Sequence, residues 1–249
     1  MVQAQWRRGN AAVCKTAMHR FDSCLRLQQF EGSARLGRKE PGTLFGDMNV
    51  ALELALAGRD FYRRGWVLGT SGNFSAIKSR EPLRIAITPS AVSKGALRAE
   101  DFLIVDEAAR AEAGKGRPSA ETALHLTIYA AKLGAGAVLH THSVWATLLS
   151  ERHGEEGRLI IQGYEMLKGL QGVSTHTHAE QVPVLPNSQD YTALSRALRS
   201  ALAEYPEAHG FLLRRHGLYT WGVDVAEARR HVEIFEFLFE ALGHSASLG

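Results

Sequence analysis

Eight short apolar runs, none longer than six residues, alternate with amphipathic stretches across residues 74–221, and several neighbours are separated by no more than a tight turn. Runs of this length bounded by Gly, Pro, Asn or Ser read as β-strands. They fall at residues 74–78, 83–88, 101–106, 137–142, 158–162, 181–185, 210–215 and 218–221. Helical periodicity predicts helices over 48–64, with Asp47 as N-cap and Gly65 as terminator, over 119–132 with Ser119 as N-cap, and over 190–204 and 225–242. A further helix starts at Val144, and residues 164–170 read as a short one. Strands joined by short turns must pair antiparallel, because a parallel crossover needs a dozen or more residues. The chain is therefore predicted to be α/β, with a mixed or largely antiparallel sheet rather than a doubly wound one. A length of 249 residues with 45% hydrophobic content suits one such core.

The net charge of +3 is unevenly spread. Residues 1–47 hold eight Lys/Arg against four Asp/Glu, which leaves the body of the chain near neutral. Residues 1–47 are expected to be a poorly ordered basic extension, and residues 48–249 the catalytic domain, with Met48 an alternative start. No basic face with base-reading residues is apparent, so no nucleic-acid partner is expected. No apolar stretch approaches eighteen residues, so no membrane partner is expected either. The two cysteines, Cys14 and Cys24, lie far from every motif below, which excludes a disulfide framework and suits the cytoplasm.

The strand 137–142 ends in His140-Thr141-His142. Residues two apart on a strand face the same way, so both imidazoles are presented side by side. A third histidine, His216, closes another apolar run, Leu212-Leu213-Arg214-Arg215-His216-Gly217. Three imidazole nitrogens are a donor set that catalytic zinc uses, with a position left open for substrate. A second pair, His176-Thr177-His178, has no apolar run leading into it and reads as a loop feature, although it is the chief rival for a metal. Three small polar segments (Thr70–Ser75, Thr88-Pro89-Ser90 and Pro118-Ser119) present backbone N–H groups and hydroxyls of the kind that gather around a phosphate. Lys94 adds a candidate cation, the alternative being an ordinary solvated lysine. Two carboxylates stand out. Glu121 sits at a helix start, where the dipole alone favours it. Glu165 lies among apolar residues, where desolvation is expected to raise its pKa and suit it to proton donation.

Together Thr70-Ser71-Gly72-Asn73-Phe74-Ser75, Ile87-Thr88-Pro89-Ser90, Arg117-Pro118-Ser119-Ala120-Glu121, Gly136–Ser143 and Arg214-Arg215-His216-Gly217 resemble the class II aldolase/adducin family over about residues 48–242. The resemblance implies a three-layer α/β/α fold with a mostly antiparallel central sheet, and a homotetramer with active sites at subunit interfaces. It implies one Zn²⁺ per subunit on His140, His142 and His216, and a sugar phosphate substrate held by Asn73, Ser90 and Ser119. Glu165–Leu170 and Arg215–Gly222 look like the dehydratase branch of that family, which implies Glu165 as the general acid/base in loss of water from a methylthio-substituted pentulose phosphate. An aldolase or pentulose-phosphate 4-epimerase would instead use Glu121 as the acid/base. A non-enzymatic adducin-like module would have no need of the three histidines.

Overall fold

The computed structural model describes residues 44–245. The expectation of a disordered arm falls, apart from its last four residues, outside them. Helix α1 (Leu44–Arg63) begins four residues ahead of Met48, so Asp47 lies within its first turn and does not cap it. Gly65, at φ +78°, ends the helix: its N–H bonds the carbonyl of Tyr62 and that of Trp66 reaches back to Phe61. This paired closure needs a left-handed residue, which glycine supplies without strain.

Among the described residues, nine strands form one sheet. In chain order they are β1 (Asn73–Arg80), β2 (Leu83–Ile87), β3 (Leu103–Asp106), β4 (Ala111–Ala113), β5 (Ala137–Thr141), β6 (Arg158–Gln162), β7 (Ala179–Leu185), β8 (Gly210–Leu213) and β9 (Gly217–Gly222). Their spatial order is β4-β3-β2-β1-β5-β9-β8-β7-β6. Every neighbouring pair runs antiparallel except β7 and β8. Exposed β4 (Ala-Glu-Ala) has no apolar signature and was not expected.

The remaining helices are α2 (Thr122–Ala131), α3 (Val144–Arg152), α4 (Tyr191–Glu204) and α5 (Val225–Ser245). Leu124 and Ile128 of α2 and Leu198 of α4 cover one sheet face with Ile85, Val138, Phe211 and Tyr219. On the other, α1 and α5 cover Phe74, Ala86 and Leu139, while α3 and α5 cover Val182 and Leu212. Within β5, Val138 belongs to the first layer and Ala137 and Leu139 to the second. That two-sided burial explains the unbroken apolar run before the histidines. Each large apolar side chain fully buried this way contributes roughly 1.5–3 kcal/mol. No described helix is long and apolar enough to cross a membrane.

Two predicted elements change. Helix α2 starts at Thr122, so Ser119 is not its N-cap. Instead its hydroxyl accepts from the Glu121 N–H at 3.2 Å, in a turn just ahead of the helix. Residues 165–169 form a short 3₁₀ helix instead of an α-helix. Its anchor is Leu167, buried with Ile234 and Phe235 of α5.

Candidate active site

The histidine pair sits where strand becomes helix. His140 lies in β5 opposite Tyr219, and His142 follows the last residue of the strand. Ser143 then caps α3, its hydroxyl accepting from the Ala146 N–H at 3.1 Å. The N–H of His142 bonds the Trp66 carbonyl at 2.7 Å, which ties it to the turn that ends α1. His216 is delivered by the tight corner between β8 and β9, where Arg215 adopts φ +54°. Gly217 comes so close to β5 that a Cβ there would lie 1.9 Å from the Thr141 carbonyl oxygen. Glu121 precedes α2 on the sheet face that His140 shares.

These elements bring four of the expected residues to one point. The Nε2 atoms lie 2.7 Å apart for His140 and His142, 3.1 Å for His142 and His216, and 3.3 Å for His140 and His216. Glu121 Oε1 stands 3.2 Å from His216 Nε2 and 3.9 Å from His140 Nε2. His140 Nδ1 donates to the Leu218 carbonyl at 2.8 Å, so its Nε2 carries a lone pair. His216 Nδ1 faces Asn187 Oδ1 at 3.3 Å with the same consequence. Two imidazole lone pairs therefore point at each other, which is unfavourable without a cation between them. Nitrogens around a tetrahedral cation at about 2.0–2.1 Å sit roughly 3.3–3.4 Å apart, close to the observed triangle. Four donors of this kind fit a divalent metal ion.

The electrostatics agree. Burial pushes His140 well below the usual imidazole range, and burial and the neighbouring His216 push His142 down to about 4, so both are neutral ligands at pH 7. Burial works to raise the Glu121 carboxyl, but the close approach of His216 and the field of the histidines outweigh it and hold the carboxyl below the ordinary range. The aromatic ring of fully buried Tyr219 stacks on His140 at 3.7 Å and fixes its plane.

The anion-binding candidates converge in part. Pro89 and Pro118 form a bridge, and the Ser90 N–H bonds the Arg117 carbonyl at 2.9 Å, so the Ser90 and Ser119 turns lie side by side. Asn73 is buried at the start of β1, where its side-chain amide donates to Glu121 Oε2. Lys94 is not solvated: it is buried, and its Nζ bonds the carbonyls of Thr70 at 2.8 Å and Val92 at 3.0 Å. Burial lowers its pKa to about 8, against the raising pull of Glu121.

Glu165 departs from expectation. Its side chain is 71% exposed, and it pairs with Lys168 at 2.6 Å and His176 at 3.8 Å instead of joining the histidines. The hydrogen bond from Lys168 holds its carboxyl below the ordinary value, the reverse of the predicted desolvation. The apolar neighbours that suggested burial, such as Leu167, turn inward while Glu165 turns out. The rival pair also separates. His176 turns to Glu165, whereas His178 bonds the buried carboxylate of Glu180, which His209 also holds. Sequence reasoning missed His125 and Asn187, which reach the site only through tertiary contact.

A central antiparallel sheet between two helical layers, with three imidazoles and a carboxylate at the end of β5, defines the metal-centred class II aldolase architecture. The chain belongs to the class II aldolase and adducin family, whose N-terminal domain model matches residues 52–242. It is 46% identical over 191 residues to the methylthioribulose-1-phosphate dehydratase of Marinobacter nauticus, covering 77% of this chain and 91% of that protein. It is 47% identical over 190 residues to that of Methylococcus capsulatus, covering 76% and 91%. Among solved structures, an L-fuculose-1-phosphate aldolase from Thermus thermophilus superposes with a TM-score of 0.64 at 24% identity, over 81% of this chain and 97% of the other.

Proposed function

We propose that this chain is a metal-dependent hydro-lyase that removes water from 5-methylthioribulose 1-phosphate, giving 2,3-diketo-5-methylthiopentyl 1-phosphate in methionine salvage. The observation that carries the metal centre is the triangle of facing Nε2 atoms. The relatives, nearly half identical over most of their length, carry the substrate. Zinc, which His140, His142 and His216 would hold, would supply Lewis-acid polarisation of the substrate ketone and so acidify the neighbouring C–H. Ser90 and Ser119 bind the phosphate through their hydroxyls, joined by the second N–H of the Asn73 amide and the Lys94 ammonium. Glu165 begins the cycle ionised, so it first takes a proton. It removes that proton from the carbon beside the ketone and hands it to the hydroxyl leaving the next carbon. The resulting enol becomes the diketone, and one water is released per turnover.

Glu165 follows β6, and β6 is separated from β5 by β9, β8 and β7. The Glu165 side chain meets Lys168 and His176 instead of any residue of the centre. This separation and the exposure of Glu165 support an assembly of several copies, a homotetramer by the family resemblance, in which Glu165 completes the centre of a neighbouring copy. The enzyme works in the cytoplasm, with no nucleic acid or membrane as partner.

The same four-residue centre would serve an aldolase, with Glu121 as acid/base. Purified protein assayed on 5-methylthioribulose 1-phosphate and on fuculose 1-phosphate, zinc-loaded and chelated, tests the reading. Zinc-dependent loss of water from the first alone is expected. Cleavage of the second with no turnover of the first would replace the dehydratase by an aldolase.

A further inference from the structure

Behind the cluster lies a chain of buried polar groups, three of which (Tyr129, Ser75 and His125) the proposed chemistry does not use. Tyr129 OH stands 2.8 Å from Ser75 Oγ, and Ser75 Oγ stands 2.7 Å from His125 Nδ1. On its far side, His125 Nε2 meets Asn73 Oδ1, and Asn73 Nδ2 meets Glu121 Oε2. Ser75 and His125 are fully buried, and Tyr129 and Asn73 nearly so. The sequence separations of 48 to 54 residues show that these contacts are made by the packing of α2 against β1. The Tyr219 ring, which stacks on His140, also meets His125 edge-on at 5.8 Å.

The direction of every hydrogen bond in this chain follows from its end. Asn73 turns its NH₂ toward Glu121 Oε2, where a carboxylate oxygen accepts, and its carbonyl toward His125. A carbonyl facing His125 Nε2 requires the proton on that nitrogen, which leaves Nδ1 to accept from the Ser75 hydroxyl. Burial drives His125 down to about 3, so the ring is neutral and carries a single N–H. The opposite tautomer would have no hydrogen for Asn73 Oδ1. It would favour a flipped amide that sets a carbonyl oxygen against the Glu121 carboxylate.

We propose that His125 is a positioning residue: its Nε2–H fixes the Asn73 amide, which holds Glu121 Oε2 so that Oε1 faces the three histidines. Glu121 is the one donor of the cluster supplied by a helix start instead of the β5 and β9 ends, so it depends most on such a tether. The inference rests on the metal-centre reading above, and losing a residue that holds a metal's ligand in place typically changes metal affinity by about 10- to 100-fold.

The test compares His125→Phe, which keeps a ring of similar size, with His125→Gln, whose amide N–H can still reach Asn73 Oδ1. Zinc affinity is read by chelator competition, and the electronic spectrum of the cobalt-loaded protein is recorded beside it. His125→Phe is expected to weaken zinc binding about 10- to 100-fold and shift the cobalt spectrum. His125→Gln should recover most of both. Equal zinc affinity and an unchanged spectrum in His125→Phe would overturn the proposal. Should His125→Phe fail to fold, long-range ¹H–¹⁵N correlation on histidine-labelled native protein decides, with His125 identified by its loss in His125→Gln. An Nε2–H ring supports the proposal, and an Nδ1–H ring refutes it. A native protein that binds no zinc would instead refute the metal-centre reading.

Discussion

At the residue scale, the two roles assigned to the site separate cleanly under mutation. His140→Ala removes an imidazole whose Nε2 lies within 2.7–3.3 Å of the other two. Elemental analysis of that variant should therefore show zinc largely lost, and undiminished zinc would exclude the ligand assignment. Glu165 touches none of the three. Glu165→Gln should retain full zinc and lower kcat by about 10²–10⁴-fold, the usual scale of acid–base catalysis. Near-normal turnover would remove Glu165 from the mechanism. The histidines were legible in the sequence because a strand's two-residue period puts His140 and His142 on one face whatever the rest of the fold does. The environment of Glu165 was not. Its neighbours Met166 and Leu167 suggested desolvation, but in a 3₁₀ segment adjacent residues point in different directions. Leu167 is buried and Glu165 is not. Asn73 and His125 were illegible as a pair for another reason, since nothing local connects residues 52 apart.

At the element scale, β5 is clamped from both faces. His140, and His142 just past the strand's end, face the α2 layer, while Thr141 between them turns the other way and donates to Glu236 of α5 at 3.0 Å. Burial pushes the Glu236 carboxyl up to about 7, against hydrogen bonds from Ser143 and Thr141. A carboxyl with a raised folded pKa contributes stability that is fully present below about 4.5 and is lost as pH climbs through about 7. The gap of about 2.5 pH units corresponds to roughly 3 kcal/mol at most. Glu236→Gln keeps the acceptor for Thr141 and cannot ionise. Its Tm should fall at or below that of the native protein at pH 5 and rise above it by pH 8. An equal difference at both pH values would show that Glu236 is not held neutral. Gly217 is the matching constraint on β9, and the reason is space instead of charge. Gly217→Ala must push β9 away from the Thr141 carbonyl, and His216 moves with it. Loss of zinc affinity together with a drop in stability of about 3 kcal/mol is expected from overpacking so tight a contact. Sheet class was readable because turn lengths decide pairing, whereas β4 and the displaced start of α2 depend on contacts that carry no local pattern.

At the scale of the whole molecule, the cation would join segments that are distant along the chain: Glu121 ahead of α2, the end of β5, and the β8–β9 corner. A ligand that binds only the folded state stabilises it by about 2.7 kcal/mol at a hundred times its Kd. For a body of this size that corresponds to roughly 5–10 °C in Tm. Chelation should lower the Tm by that amount and added zinc restore it, and a Tm indifferent to chelator would argue against a bound metal. The same scale decides where catalysis is completed. If Glu165 serves the centre of a neighbouring copy, a chain lacking His140 and a chain lacking Glu165 each spoil different halves of a shared site. Each variant alone is inactive. Mixing His140→Ala with Glu165→Gln, after reversible dissociation or by co-expression, pairs an intact histidine set with an intact Glu165 in about a quarter of the sites of a symmetric assembly. Activity should rise from near zero toward that fraction. If every mixture stays as inactive as its parents while native protein survives the same treatment, Glu165 must reach the histidines of its own chain, and the 3₁₀ segment must move to carry it there.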